Sequence, residues 1–113
     1  MDDIVTLTLP MGASARFVRE IQDAVCEVPG VEDCGELGTR GRDGTMGVWA
    51  KLAADPASLD DIRIAVVRGV VGLIRNRGLR GAKVILTGGV IEPDDLSLDE
   101  IERAVVRLKP AAA

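Results

Sequence analysis

Residues 4–25 read IVTLTLPMGASARFVREIQDAV, and they hold two periodicities back to back. In the first six, Val5, Leu7 and Leu9 alternate with Ile4, Thr6 and Thr8, the period of two expected of a strand with one buried face. Pro10 and Gly12 end that strand. Ser14 is a helix N-cap residue, and beyond it Phe17, Ile21, Ala24, Val25 and Val28 recur at helical spacing, opposite Arg16, Arg19, Glu20, Asp23 and Glu27. Pro29-Gly30 stops the helix. A strand that turns directly into an amphipathic helix is the first half of a β-α-β unit, and the rest of the chain is read outward from it.

Residues 31–37, VEDCGEL, make a poor strand, weakened by Gly35 and three carboxylates, and suit a sheet edge. Residues 38–44, GTRGRDG, are a glycine-rich hairpin loop. In 45–53, TMGVWAKLA, the residues Met46, Val48, Ala50 and Leu52 share one face, with Trp49 and Lys51 on the other. Ser58-Leu59-Asp60-Asp61 resembles a capping box and opens a helix that runs to Asn76, with Gly78 as its stop. Residues 83–87, KVILT, form a strand that Gly88-Gly89 break or bulge, with Val90 and Ile91 extending it. Pro93-Asp94-Asp95 turn the chain. Ser97 and Glu100 form a second capping box, and Leu98, Ile101, Val105 and Leu108 give an amphipathic last helix. The order β-α-β-β-α-β-α predicts an α+β fold, a ferredoxin-like sandwich with an added C-terminal helix. One domain is expected over residues 1–109, with a frayed tail at 110–113.

The 113 residues are 47% hydrophobic but only 2% aromatic, so the core must be aliphatic. Fourteen basic and eighteen acidic residues give a formal charge of −4, which implies no bulk attraction to nucleic acid or to anionic lipid. The scarcity of aromatics also removes the stacking platforms of single-strand binders. No apolar run reaches membrane-spanning length, and Asp2 and Asp3 stand where a signal peptide would carry positive charge. With two cysteines and no histidine, no zinc site and no His-activated nucleophile is expected, and no catalytic residue or cofactor is assigned. Cys26 and Cys34 are read as two small semi-buried apolar residues in preference to a disulfide, in a reducing, cytoplasmic setting. The carboxylates Asp60, Asp61, Asp99 and Glu100 sit at helix starts, where they suit the helix dipole. Asp94-Asp95 is read as a solvated turn in preference to a Mg²⁺ site.

Three features are candidate contact sites. Gly12, Ala13 and Ser14 could present backbone N–H groups to a small acid or nucleotide, although the stretch has neither a phosphate-loop nor a dinucleotide-binding pattern. Arg40 and Arg42, on the glycine-rich loop, could grip an anion or an acidic partner. The third is the helix from Leu59 to Asn76, apolar nearly all round, in which Ala65, Gly69, Gly72 and Asn76 form a stripe of small residues at spacings of four, three and four. Each glycine costs about 1 kcal/mol of helix propensity against alanine. Either a three-helix layer covers the extra face, the preferred reading, or the face meets another subunit or a partner. Arg63, Arg68, Arg75 and Arg77 are placed on a solvated basic rim. Trp49 is an interface candidate if it lies on an open sheet face.

The stretches GTMGVWAKLAA (44–54) and LDDIRIAVVRGVVGLIRNRGLRGAKVILTGGV (59–90) resemble the actinobacterial effector-associated constant component domains. The likeness rests on Gly44-Thr45-Met46-Gly47 and on the Arg75-Asn76-Arg77 helix end. The amphipathic terminal helix and Gly88-Gly89 depart from that pattern. The resemblance implies a non-enzymatic adaptor encoded beside an effector, such as a caspase-like or trypsin-like protease, in a bacterial conflict system. It supplies no catalytic residues. A fainter likeness to the anti-sigma-factor kinases is set aside, because Val67, Arg68 and Val71 stand around the turn where that family holds ATP and Mg²⁺ with an acidic residue and an asparagine. The expected partners are another protein, for which the resemblance suggests a protease-type effector, a second copy of the chain, or both.

Overall fold

The computed structural model of the chain describes residues 3–9, 13–37, 46–52 and 59–108. Of the sequence expectations, Gly12, the loop with Arg40 and Arg42, the Ser58 cap and the 110–113 tail lie outside the described residues.

The elements are β1 (Asp3–Leu9), α1 (Ala15–Cys26), β2 (Val31–Leu37), β3 (Met46–Leu52), α2 (Leu59–Asn76), β4 (Lys83–Leu86), β5 (Gly89–Ile91), a single 3₁₀ turn (Pro93–Asp95) and α3 (Leu98–Arg107). The strands form one sheet in the order β2-β3-β1-β4-β5, and every neighbouring pair is antiparallel. Its first four strands have the ferredoxin-like arrangement: each β-α-β unit places parallel strands one apart, and the other unit's first strand fills the gap.

Alternation decides which face meets the helices. Val5, Leu7 and Leu9 of β1, Val48, Ala50 and Leu52 of β3, Val84 and Leu86 of β4, and Ile91 of β5 are all buried. They pack into one core with Phe17, Val18, Ile21 and Val25 of α1, Ile62, Val66, Val67, Val70, Val71 and Ile74 of α2, and Ile101 and Val105 of α3. The core is aliphatic, with Phe17 as its one aromatic ring. The helix starts follow their caps. The Ser14 hydroxyl accepts from the Phe17 N–H at 3.1 Å. Ser97 and Glu100 close a reciprocal capping box, both bonds at 3.1 Å. The Ser97 backbone N–H, and after it the Ser97 hydroxyl, hold the Glu100 carboxyl below its ordinary range.

Three expectations need correction. Val90 and Ile91 do not extend β4: the chain reverses at Thr87-Gly88, and Ile85 pairs with Val90 as Val84 does with Ile91 in a fifth strand. Gly88, read as interrupting one strand, instead sits in the hairpin turn between two, and Gly89 opens the second. Arg63 is not on a solvated rim. It is 1% exposed, on the stripe of Val66, Val67 and Val70, and lies 3.8 Å from Asp60. Position on the helix, three and four residues before buried valines, outweighs residue type here. Cys26 and Cys34 are paired as a disulfide, their Cα atoms 5.8 Å apart, because the turn after α1 folds β2 straight back against the helix end.

The open face of the sheet as a candidate interaction surface

All three helices lie on one side of the sheet, so the residues that alternate with the core set face away from it. Directly paired residues on neighbouring antiparallel strands share a face. The register therefore draws a row across all five strands: Gly35 opposite Trp49, Trp49 opposite Thr6, Thr6 opposite Ile85, and Ile85 opposite Val90. Ile85 is 37% and Val90 54% exposed, and Ile4, next to the row on β1, is 44% exposed. Among the described residues these are three of the four large apolar side chains left exposed; the fourth is Val106 on α3. Polar pairs flank the row. Asp33 and Lys51 lie opposite each other on one side, and on the other Lys83 sits 3.8 Å from Glu92.

Trp49 is half-buried on β3, between the edge strand β2 and β1, and Gly35 explains how. A Cβ at position 35 would stand 2.9 Å from Cε2, Cζ2 and Nε1 of the indole. The ring lies flat over the backbone of β2, where only glycine leaves room, and it covers a stretch of edge strand that would otherwise carry no side chain. Gly35 weakens β2 when read alone. Its use as an aromatic platform depends on the register that sets it opposite Trp49.

The stripe of Ala65, Gly69, Gly72 and Asn76 lies elsewhere, on the outer side of the helix layer. Ala65, Gly69 and Asn76 are exposed and Gly72 is half-buried. The apolar side chains of α2 are covered by the sheet and the flanking helices, while the small residues are not. A Cβ at Gly69 or Gly72 would meet nothing within 4 Å. Among the described residues no backbone approaches there, so the double substitution Gly69→Ala/Gly72→Ala should stabilise the dilute protein by about 1–2 kcal/mol through helix propensity. Urea unfolding reads this directly, and a loss of stability would mean that something does pack on the stripe. Beside it, Ile64, Glu102, Arg103, Val106 and Arg107 line a shallow groove between α2 and α3.

The arginines of α2 are occupied by their own chain. Arg68 bonds Glu102 at 2.6 Å, and Arg75 donates to the Pro93 and Leu96 carbonyls. Arg77 reaches both oxygens of Glu20, at 2.8 and 2.7 Å, and stacks over Phe17 at 5.2 Å. Arg68 ties the middle of α2 to α3, and Arg75 and Arg77 fasten its C-terminal end to the 3₁₀ turn and to α1. Exposed pairs of this kind contribute little stability each. The acidic turn is used in the same way: Asp94 accepts the Gly81 N–H at 2.8 Å and Asp95 meets Arg80 at 3.2 Å.

At the start of α1, Ala13, Ser14, Phe17, Arg77 and Leu79 line a cavity of about 200 Å³. Two of the three residues named for a ligand turn, Ala13 and Ser14, are thus placed on one recess. The Ser14 hydroxyl there accepts from the Phe17 N–H, and Arg77, the cation in the lining, is paired with Glu20. Among the described residues no group of three or more Cys, Asp or Glu side chains gathers as a metal site would. No described helix is long and apolar enough to cross a membrane.

No family model matches the chain. No curated protein matches it either. Among solved structures it is similar to SnoaB from Streptomyces nogalater, described as a cofactor-independent oxygenase and solved there as an asparagine-to-alanine mutant. The two share 16% identity over 84% of this chain and 94% of that one, with a TM-score of 0.49.

Proposed function

We propose that this protein is a small, non-enzymatic, self-associating interaction module that works in the cytoplasm as an adaptor, with the open sheet face as its contact surface. The observation that carries the reading is the row Gly35–Trp49–Thr6–Ile85–Val90. A five-strand face crossed from edge to edge by tryptophan, threonine, isoleucine and valine, with charged pairs on both sides of the row, has the mixed apolar and polar composition of a protein interface. Strand spacing and rise give the face about 500 Å². Two copies stacked on it would bury roughly 1,000 Å² in total, at the small end of specific interfaces. The expected self-association is therefore weak and reversible, with a dissociation constant on the order of 10 μM or above. A weak homotypic contact leaves the helix side of each copy free for a second partner. In the reading suggested by the resemblance, that partner is a protease-type effector of a conflict system.

Sedimentation velocity across a concentration series tests this, with Ile85→Lys/Val90→Lys as the comparison. Both side chains are exposed, so the double variant should fold normally and stay monomeric where the wild type dimerises. A wild type that stays monomeric at several hundred micromolar would end the reading. The alternative, a regulatory domain that senses a small acid or nucleotide at Gly12, Ala13 and Ser14, draws on the cavity at the start of α1. It would gain if amino acids, nucleotides or phosphate raised the melting temperature.

A further inference from the structure

The open face is built partly on the weakest strand of the sheet, and that strand is fastened by sulfur. β2 is an edge strand with a register shift between Val31 and Asp33. It contains Gly35 and the carboxylates of Glu32, Asp33 and Glu36. Such a strand is poorly held by its ladder alone. Cys34, on its helix-facing side, is paired with Cys26 at the end of α1, eight positions earlier. The next residue, Gly35, is the floor under the Trp49 ring. One cross-link thus ties α1 to the strand segment on which the indole rests.

The pair is also reachable. Cys26 is exposed and Cys34 half-buried, and a recess of about 180 Å³ lined by Cys26, Val31, Glu32, Asp33 and Cys34 opens beside them. A disulfide in a cytoplasmic protein is more often a redox-responsive bond than a permanent staple.

We propose that Cys26–Cys34 is a reversible thiol–disulfide exchange site whose reduction loosens β2 and releases Trp49 from its platform. The reductant is a dithiol. One of its thiolates attacks the more exposed Cys26 sulfur, forming a mixed disulfide and expelling the Cys34 thiolate. Its second thiolate then attacks the mixed disulfide and expels Cys26. Two electrons and two protons pass to the protein, which ends with two thiols, and the reductant ends as its own disulfide. Loss of the cross-link restores freedom to the segment it closed, and the edge strand opens locally before the rest of the sheet. The loosening of β2 stands on the geometry of the pair, and the exchange site on that geometry together with the cytoplasmic setting proposed above. Their consequence for association rests on the reading of the sheet face given above.

The test uses the full chain, prepared oxidised and after treatment with dithiothreitol. Reduction should expose two alkylatable thiols by mass and lower the melting temperature by on the order of 10 °C. It should speed amide exchange in 31–37 by about tenfold or more while β1 and β4 stay protected. Emission from Trp49, the one tryptophan in the chain, should shift to the red. Cys26→Ser and Cys34→Ser should behave as the reduced protein and not respond to dithiothreitol. If neither serine variant folds, the two states of the wild type still decide the matter. Unchanged exchange in 31–37 on reduction would overturn the proposal. So would equal loss of protection in every strand, which would make the bond a global staple. Sedimentation of the same two samples separates this idea from the previous one. Association lost on reduction supports the coupling, and association unchanged beside a loosened β2 overturns it. A monomer in both states overturns the reading of the face and leaves the exchange site to the amide data.

Discussion

Leu7→Ala should cost about 3 kcal/mol of stability, enough to lower the melting temperature by roughly 10 °C or more. Leu7 is 1% exposed in β1, the middle strand, where it pairs with Val48 on one side and Val84 on the other. Truncation there removes apolar contacts from both flanking strands and from the helix layer above. Surrounding atoms would have to move inward to fill the space, and a central strand held by ladders on both edges cannot follow them. The cost should therefore sit well inside the range for buried leucine rather than at its lower end. Urea denaturation of both proteins at low concentration measures it. A loss below about 1 kcal/mol would mean that the sheet does not pack as described.

Gly30→Ala should be of comparable size, for a different reason. Gly30 turns the chain from α1 into β2 with φ +97°, a conformation that L-residues rarely adopt, and a Cβ there would stand 2.3 Å from Cδ1 and 2.6 Å from Cγ1 of Ile62. The backbone term is about 1–2 kcal/mol, and forcing Ile62, 8% exposed, from its place adds a further overpacking cost of similar size. Gly78→Ala separates the two terms. Gly78 also has positive φ, +66°, but a Cβ there meets nothing within 4 Å, so only the backbone cost of about 1 kcal/mol should appear. Equal effects at the two sites would show that the Ile62 contact does not matter.

The fold was legible in the sequence because its signals are local. Val5, Leu7 and Leu9 alternate within one strand, Ser14 and Ser97 cap the helices that follow them, and Gly30 and Gly78 stop two helices. What escaped depends on pairing between distant segments. Gly35 reads as a defect until the β2–β3 register sets it under Trp49. Gly88-Gly89 reads as a break until Val90 is seen opposite Ile85. The Cys26–Cys34 pairing depends on how tightly the chain folds back after α1, which composition does not convey. Arg63 is a different case. Its spacing to Val66, Val67 and Val70 already put it on the buried stripe, and reading it by residue type placed it in solvent. The contact surface was visible as a residue, Trp49, but not as a surface, since no single strand carries more than one or two of its side chains.

The central claim is that the open sheet face is where this protein meets a second copy of itself. Trp49 lies in the row that crosses that face and is the one tryptophan in the chain, so its fluorescence reports the face alone. We would follow its emission maximum and its quenching by acrylamide in the oxidised protein from about 1 to 500 μM, a range that spans the weak association expected for an interface of this size. The account predicts a blue shift and falling quencher access as concentration rises, both absent in Ile85→Lys/Val90→Lys. Dimerisation seen by sedimentation with Trp49 emission and quenching unchanged would contradict it, and would move the contact to another surface of the molecule.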